Sequence, residues 1–554
     1  MKTNHSYDNI KMIFSKFRQF TVFFGIAVAG LWGYELRAEV KCPAIFGDHM
    51  VLQRDMACPV WGSAEPGEKV TVTVGSVSET CTTGADGKWS VKLLNLSASM
   101  NPVELKIAGK NQIKYSDVLV GDVWLCSGQS NMWWPVKDTH RAQQDIPKAN
   151  HPTLRLYMAP SPEISVTTNS EWKPNGIWGR WMVCTPETVP WFSAVGYYFG
   201  KNLNEKLQVP MGLINSTVSG SAAQAWTTLE SLQKHSELKE YLDLYNKMCP
   251  NFDEICKQWN ISFNKFQEQL SQWQNEFKNS DLQQQEKLKL RKPRIPSSPI
   301  GPTLLPTCRF NTKIAPMIPF GIKGVIWYQG EANVDKANQY RVLFPALITG
   351  WREAWGQGDF PFLYVQLANF NQRGGKSVEN TWAYLREAQT STLTLPQTGM
   401  AVSLDMGKGD DIHPRNKLDV GYRLSLVALK VAYHQDIVFS GPRFDSMSIE
   451  GHKIKILFKC VGGGLVIDSS PAMLAEVPKA EPSDQLLGFA IAGADKIFVP
   501  AKAVIEGEAV IVWSDEIMTP LAVRYGFSNN PEVNLYNKEL LPAGPFRTDN
   551  WDTK

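Results

Sequence analysis

Residues 123–136 read VWLCSGQSNMWWPV, and this stretch changes character halfway. Val123 to Cys126 have the texture of a buried β-strand, whereas Gly128, Gln129, Ser130 and Asn131 are small or polar residues that a buried strand does not tolerate. The break places a serine at the carboxyl end of a strand, in a glycine-flanked turn. In open α/β sheets, ligands bind in the crevice beyond the carboxyl ends of the strands.

Four further apolar runs lie downstream: VPMGLINSTVSG, IKGVIWYQGEAN, DFPFLYVQLANF and GMAVSLDMG, each separated from the next by a longer connection. Strands that are apolar on both faces and alternate with long connections indicate a parallel sheet covered by helices. The expected fold class is therefore α/β. Upstream, KVTVTVG from Lys69 and KWSVKLL from Lys88 alternate in the two-residue period of half-buried strands, and GADG at 84–87 offers hairpin-turn chemistry between them. Residues 39–116 are expected to form a β-sandwich. Alternation returns in HKIKILFK, EAVIVW and LAVRYGF, so residues 438–554 are expected to be β-rich. The intervening α/β domain would span 117–437.

That middle region carries an insertion at about 229–292. Trp259, Phe263, Phe266, Leu270, Trp273 and Phe277 recur at spacings of 4, 3, 4, 3 and 4, which aligns them on one stripe of a helix. A helical hairpin packed on the protein's own surface is the simplest reading; a lid and a dimer contact are the alternatives.

At 554 residues the chain exceeds one core, and 43% hydrophobic with 20% charged residues is ordinary for a folded protein. Lys plus Arg number 57 against 54 Asp plus Glu, with no dense basic run, so a nucleic-acid partner is not expected. Lys11, Lys16 and Arg18 precede the apolar run FTVFFGIAVAGLWGY, which is short for a membrane span, and Ala38 stands at a cleavage point. Residues 1–38 thus read as a signal peptide or an uncleaved anchor. Either way the body is exported, periplasmic or secreted, with no integral membrane domain after cleavage. Nine Cys is an odd number without a CxxC pair, which leaves at least one thiol unpaired in a monomer and indicates neither a zinc ribbon nor a redox motif.

The residues after each strand collect into a constellation. Ser130 follows the first run, VSGS with Gly220 the second, Gln329, Gly330 and Glu331 the third, and Asp410 and His413 of GDDIHP the last. A serine hydroxyl needs a base to take its proton, and the base needs a carboxylate to fix its tautomer. Of the eight histidines, His413 alone has an Asp at motif spacing, with the adjacent Asp411 as rival. A carboxylate partner raises an imidazole's pKa from roughly 6.5, so activity is expected to fall between about pH 6 and 7.

GQSNM, GLINSTVSGSAAQAW, IKGVIWYQGEAN, DFPFLYVQL and DDIHPRNK, in that order, resemble the sialate O-acetylesterase family, carbohydrate esterases of the SGNH-hydrolase superfamily. The resemblance extends to both flanks through FGDHMVLQRDMACPVWGSAEPGEKVTV and VRYGFSNNPEVNLYNKELLPAGPFRTDNW. It implies an SGNH-hydrolase-like three-layer α/β/α domain with a parallel sheet, needing no metal or cofactor. It makes Ser130 the nucleophile, His413 the base and Asp410 its orienting carboxylate. It assigns the oxyanion hole to Ser130, Gly220 and Gln329, and substrate contacts to Gln129, Asn131, Trp133, Glu331 and Asn333. Trp133 and Trp134 stand where relatives often carry an acidic residue, and SGS replaces the more usual GGT. The implied substrate is an O-acetylated sugar: sialic acid, or alternatively acetylxylan or another glycan. A non-catalytic carbohydrate-binding protein is the reading from a different class, and the oligomeric state is left open.

Overall fold

The computed structural model describes residues 39–160, 178–248, 252–289, 291–294, 296, 305–370, 381–468 and 484–551. The expected signal peptide lies outside the described residues.

The central sheet is built from β1 (Gln112–Gly128), β2 (His151–Met158), β3 (Trp181–Cys184), β4 (Met211–Thr217), β5 (Gly324–Tyr328), β6 (Phe362–Val365) and β7 (Thr398–Ala401). Their spatial order is β7-β6-β5-β1-β4-β2-β3, and every neighbouring pair is parallel except β2 with β3. The apolar runs are fully buried because helices cover both faces. Trp124 stacks edge-on against Phe199 of α2, which follows the short helix α1; these helices span Ala194–Leu207 and Ser130–Trp133. Trp327, which pairs in register with Ser127 and so lies on the opposite face, packs on Phe344 and Trp351.

These belong to α5 (Ala337–Trp355), preceded in the insertion by α3 (Phe252–Lys278) and α4 (Leu282–Lys289). Then come α6 (Thr381–Ser391) and α7 (Lys417–Val431). α7 lies against α2 so closely that a Cβ at Gly421 would stand 2.7 Å from Cβ of Tyr198. The core is therefore helix, sheet, helix.

The six-residue stripe of α3 forms as the spacing requires. Trp259 stacks on Phe263 at 4.9 Å and Trp273 on Phe277 at 5.0 Å, while the Trp273 indole N–H donates to Leu288 O of α4 at 2.8 Å. The Trp273 end of the stripe is thus covered by the insertion's own second arm, while the Trp259 indole N–H donates to Pro296 O at 3.3 Å.

Around the sheet, Lys69–Val74 pairs antiparallel with Val77–Thr82 and with Ser99–Ala108, and Cys58–Ser63 pairs with Lys88–Leu93. The GADG turn does close, with the Gly87 N–H on Gly84 O at 3.0 Å, but it does not make a hairpin. The strands it joins belong to different sheets, Val77–Thr82 pairing with Lys69–Val74 and Lys88–Leu93 with Cys58–Ser63. β1 itself crosses position 116, pairing first with Ser99–Ala108 and then with β4 and β5. At the other end, Arg443–Glu450, Lys453–Lys459, Ala509–Trp513 and Lys502–Glu506 form a four-stranded antiparallel sheet. This β-rich part has its own core around Ile454, Ile456, Val510, Val512 and Val523. The Arg386 guanidinium of α6 fastens it to the sheet, donating to the carbonyls of Leu367, Ala368, Ser528 and Asn529 at 2.8–2.9 Å.

Among the described residues no helix is long and apolar enough to cross a membrane.

Candidate active site

β1 ends level with its neighbours: Gly128 pairs in register with Thr217 of β4 and Tyr328 of β5. At this edge the chain turns sharply. Gly128 has φ +130°, and a side chain there would overlap the Tyr328 carbonyl, so glycine is required twice over. The Gln129 N–H then donates to Tyr328 O at 3.0 Å and the Val218 N–H to Gly128 O at 3.1 Å, and Ser130 emerges as the first residue of α1.

The loop after β7 delivers His413 to the same place. Its backbone N–H donates to Asp411 Oδ1 at 2.9 Å, and Asn416 caps α7 by accepting from the Asp419 N–H. His413 Nε2 lies 2.9 Å from Ser130 Oγ, across 283 residues of chain. The imidazole is covered on one side by Trp134, whose ring stacks on it at 5.3 Å and 23°. Asp410 lies 3.3 Å from Lys408 Nζ with its side chain 46% exposed.

The titration of His413 corrects the sequence-based expectation in sign. Burial holds its pKa below the ordinary imidazole value, the Lys417 charge pushes the same way, and Asp411 opposes both without prevailing. A neutral imidazole with Nδ1 protonated accepts the serine proton at Nε2.

Beneath the pair lies a buried network centred on Asn131. Its Nδ2 donates to Glu331 Oε1 at 2.5 Å and to Ile412 O at 3.0 Å, and its Oδ1 accepts from Lys417 Nζ at 2.5 Å. Burial pushes Lys417 down to about 7, against the opposing charges of Glu331 and Asp411, and raises Glu331.

The expected oxyanion residues follow three neighbouring strands, Ser130 after β1, Gly220 after β4 and Gln329 after β5. Gly220, at φ +69°, lies in the exposed bend after β4, and neither its backbone N–H nor that of Ser130 makes a hydrogen bond among the described residues. Gln329 is fully buried, and its Nε2 donates to Asn333 Oδ1 at 2.7 Å and to Ser221 O at 3.3 Å. One amide hydrogen therefore holds the Gly220–Ser221 turn and the other holds Asn333, so both are engaged within the loops. Asn333 also accepts from the Ala223 N–H and donates to Gln224 Oε1, while Gln129 Oε1 accepts from the Ala332 N–H. The amides expected to touch substrate at Gln129, Asn131 and Asn333 are thus bonded within the loops that carry the site. Trp133 is half-buried and stacks on Trp178 at 5.8 Å. Sequence reasoning gave no role to Lys417 and none to Trp134 against the imidazole.

A serine hydroxyl in contact with an imidazole, at the carboxyl edge of a parallel sheet, is the arrangement by which α/β hydrolytic enzymes generate an oxygen nucleophile. Comparison with known proteins narrows this class to carbohydrate esterases. The family model for carbohydrate esterase, sialic acid-specific acetylesterase, matches residues 309–426, which include Gln329, Asp410, His413 and Lys417. The crystal structure of a carbohydrate acetylesterase from Xanthomonas citri is 37% identical, covering 93% of this chain and 100% of that one with a TM-score of 0.72. Sialate O-acetylesterases from Rattus norvegicus and Homo sapiens are 28% and 29% identical over 71% and 73% of this chain and 74% and 73% of theirs. The chain belongs to the sialate O-acetylesterase family of carbohydrate esterases.

Proposed function

We propose that this chain is an exported carbohydrate O-acetylesterase that removes O-acetyl groups from sialic acid through an acyl-enzyme formed on Ser130. The observation that carries the reading is the 2.9 Å contact between Ser130 Oγ and His413 Nε2. As Oγ attacks the acetyl carbonyl, its proton passes to Nε2. The carbonyl oxygen becomes an oxyanion and accepts from the unpartnered amides of Ser130 and Gly220, each such donor stabilising the transition state by roughly 3 kcal/mol. Collapse breaks the bond to the sugar, whose oxygen takes the proton from His413. Water then adds to acetyl-Ser130 by the same route and releases acetate. Asp410 is the carboxylate that orients His413 through Nδ1. Gln329, buried under the oxyanion turn, fixes that turn in place.

The architecture follows the same reading. Residues 117–437 are an SGNH-type domain, supported by helices on both sheet faces and by the serine at the end of β1, and residues 39–116 are an N-terminal β-sandwich. Export rests on the charged and apolar run before Glu39. Sialic acid as substrate rests on the curated relatives named as sialate O-acetylesterases.

Release of acetate from O-acetylated sialic acid and from acetylated xylan, measured side by side, tests the substrate. Faster release from the sialic acid is expected; the reverse ranking rejects sialic acid, and release from neither rejects the esterase reading.

A further inference from the structure

Lys417 is a buried cation of the site region that the acyl-enzyme cycle does not use. It is the first residue of α7, has no solvent exposure, and stands four residues after His413. Its ammonium donates to Asn131 Oδ1 at 2.5 Å and lies 5.8 Å from the centre of the Trp134 ring and 5.4 Å from that of Tyr328. Asn131 directly follows the nucleophile, and the carbonyl it binds, Ile412, directly precedes the base. Its remaining partner, Glu331, closes the β5 end of the network, and Glu331 Oε2 is buried with no hydrogen-bond partner among the described residues.

A lysine that served packing alone could be replaced by an apolar side chain at no loss, since burying an ammonium is costly. Here the charge is retained at the point where the nucleophile's turn, the base's loop and the end of β5 meet.

We propose that Lys417 is a positioning residue of the esterase site: through Asn131 it locks the Ser130 turn to the His413 loop, and its charge sets the acid limit of activity. This rests on Ser130 and His413 being nucleophile and base. The charges that face the pair are Asp411 from the loop after β7 and Glu331 from the end of β5, with the buried Tyr328 ring beside Lys417 and the neutral Asn131 and Trp134 contributed by α1 and the turn after it.

The signs combine consistently. Lys417, pushed down to about 7, is increasingly protonated as pH falls below that value, which is the range in which His413 would itself take up a proton and stop working. The ammonium opposes that uptake, so the base stays neutral, and active, to lower pH. Removing the charge therefore moves the acid limb upward.

The test is the pH profile of kcat/KM on a chromogenic acetate for wild type, Lys417→Gln and Lys417→Arg, with a thermal melt for each. The glutamine variant retains a donor for Asn131 without the charge; its acid limb is expected to rise by about half a pH unit or more. The arginine variant keeps the charge and is expected to keep the wild-type limb. A folded glutamine variant whose profile superimposes on wild type, or an arginine variant shifted equally far, overturns the proposal. Should the glutamine variant not fold, Asn131→Ser tests the positional half: kcat is expected to fall at least tenfold with the acid limb in place, and an unchanged kcat overturns it. Loss of turnover in Ser130→Ala, measured beside these, separates the outcomes. Activity surviving there rejects the nucleophile itself; activity lost there with an unmoved Lys417→Gln profile rejects only the role of Lys417.

Discussion

Arg386 and Lys417 are both cations with no solvent exposure, one fastening α6 to the C-terminal β-rich part and the other seated under the Ser130–His413 pair. Their surroundings differ in kind. Arg386 meets four backbone carbonyls, and although burial pushes it down to about 9 it stays charged at neutral pH. Lys417 has a single hydrogen bond from its ammonium among the described residues, two aromatic faces and nearby carboxylates, and its pKa falls to about 7. A full shell of carbonyls makes a fixed fastener whose removal is felt in stability. A sparse shell beside a titrating imidazole makes a charge whose removal is felt in the chemistry.

That contrast breaks if damage to the site lowers stability as much as activity. Ser130→Ala is expected to reduce kcat on a chromogenic acetate by about 10⁴-fold or more, with the melting temperature within about 2 °C of wild type. Retention of more than a tenth of the activity would move the nucleophile elsewhere. Ser127 is no candidate, since it is buried and its hydroxyl donates to Ser216 O at 2.7 Å.

The next effect separates neighbouring carboxylates. Asp411 accepts the His413 backbone N–H, and the proposed cycle makes Asp410 the side chain that orients the ring. Asp410→Asn is expected to lower kcat by roughly 10²- to 10⁴-fold and Asp411→Asn by less than about tenfold. The opposite ranking, in steady-state kinetics, would assign the orienting role to Asp411.

Arg386→Met tests the other side of the contrast. Leaving buried carbonyls without donors costs about 1–3 kcal/mol for each that cannot be resatisfied, so the melting temperature is expected to drop by about 5 °C or more. At 25 °C kcat should stay within about twofold and the acid limb should not move. A shifted limb at unchanged stability would erase the distinction between the two cations.

The smallest effect is in the wild-type profile itself. The folded site holds His413 below its ordinary value, so the base remains neutral further into acid and half-loss of kcat/KM is expected below about pH 6.5. A midpoint above that value would mean that the carboxylate partner, and not burial, governs the ring.

The strand ends were legible because their signal is local. A run apolar on both faces followed by small polar residues marks β1 and the Ser130 turn without knowledge of the neighbours, and the 3–4 spacing of Trp259 to Phe277 marks α3. The direction of the His413 shift was not legible, because a carboxylate three residues away is visible in sequence and desolvation is not. Lys417 was hidden for a similar reason: it reads as a surface cation at a helix start, and only Asn131 and Glu331, far away in the chain, make it an interior one. Trp133 and Trp134 are adjacent and identical, and only the exit angle of α1 decides which ring reaches the imidazole. The GADG turn was read correctly as a turn, but strand pairing is settled by distant partners.

The continuity of β1 has a consequence for how the protein comes apart. Its first half shares a hydrogen-bond ladder with Ser99–Ala108 and Val51–Gln53, and its second half with β4 and β5. Asp122 reinforces the crossing point, buried and gripped by the Arg54 guanidinium at 3.0 Å through both of its oxygens. A chain shortened to begin at Asp117 would therefore cut through a strand and strip partners from the segment that ends in Ser130. Amide protons from Val118 to Gly128 are then expected to exchange with solvent through a shared opening, as one cooperative unit that joins the amino-terminal layer to the nucleophile.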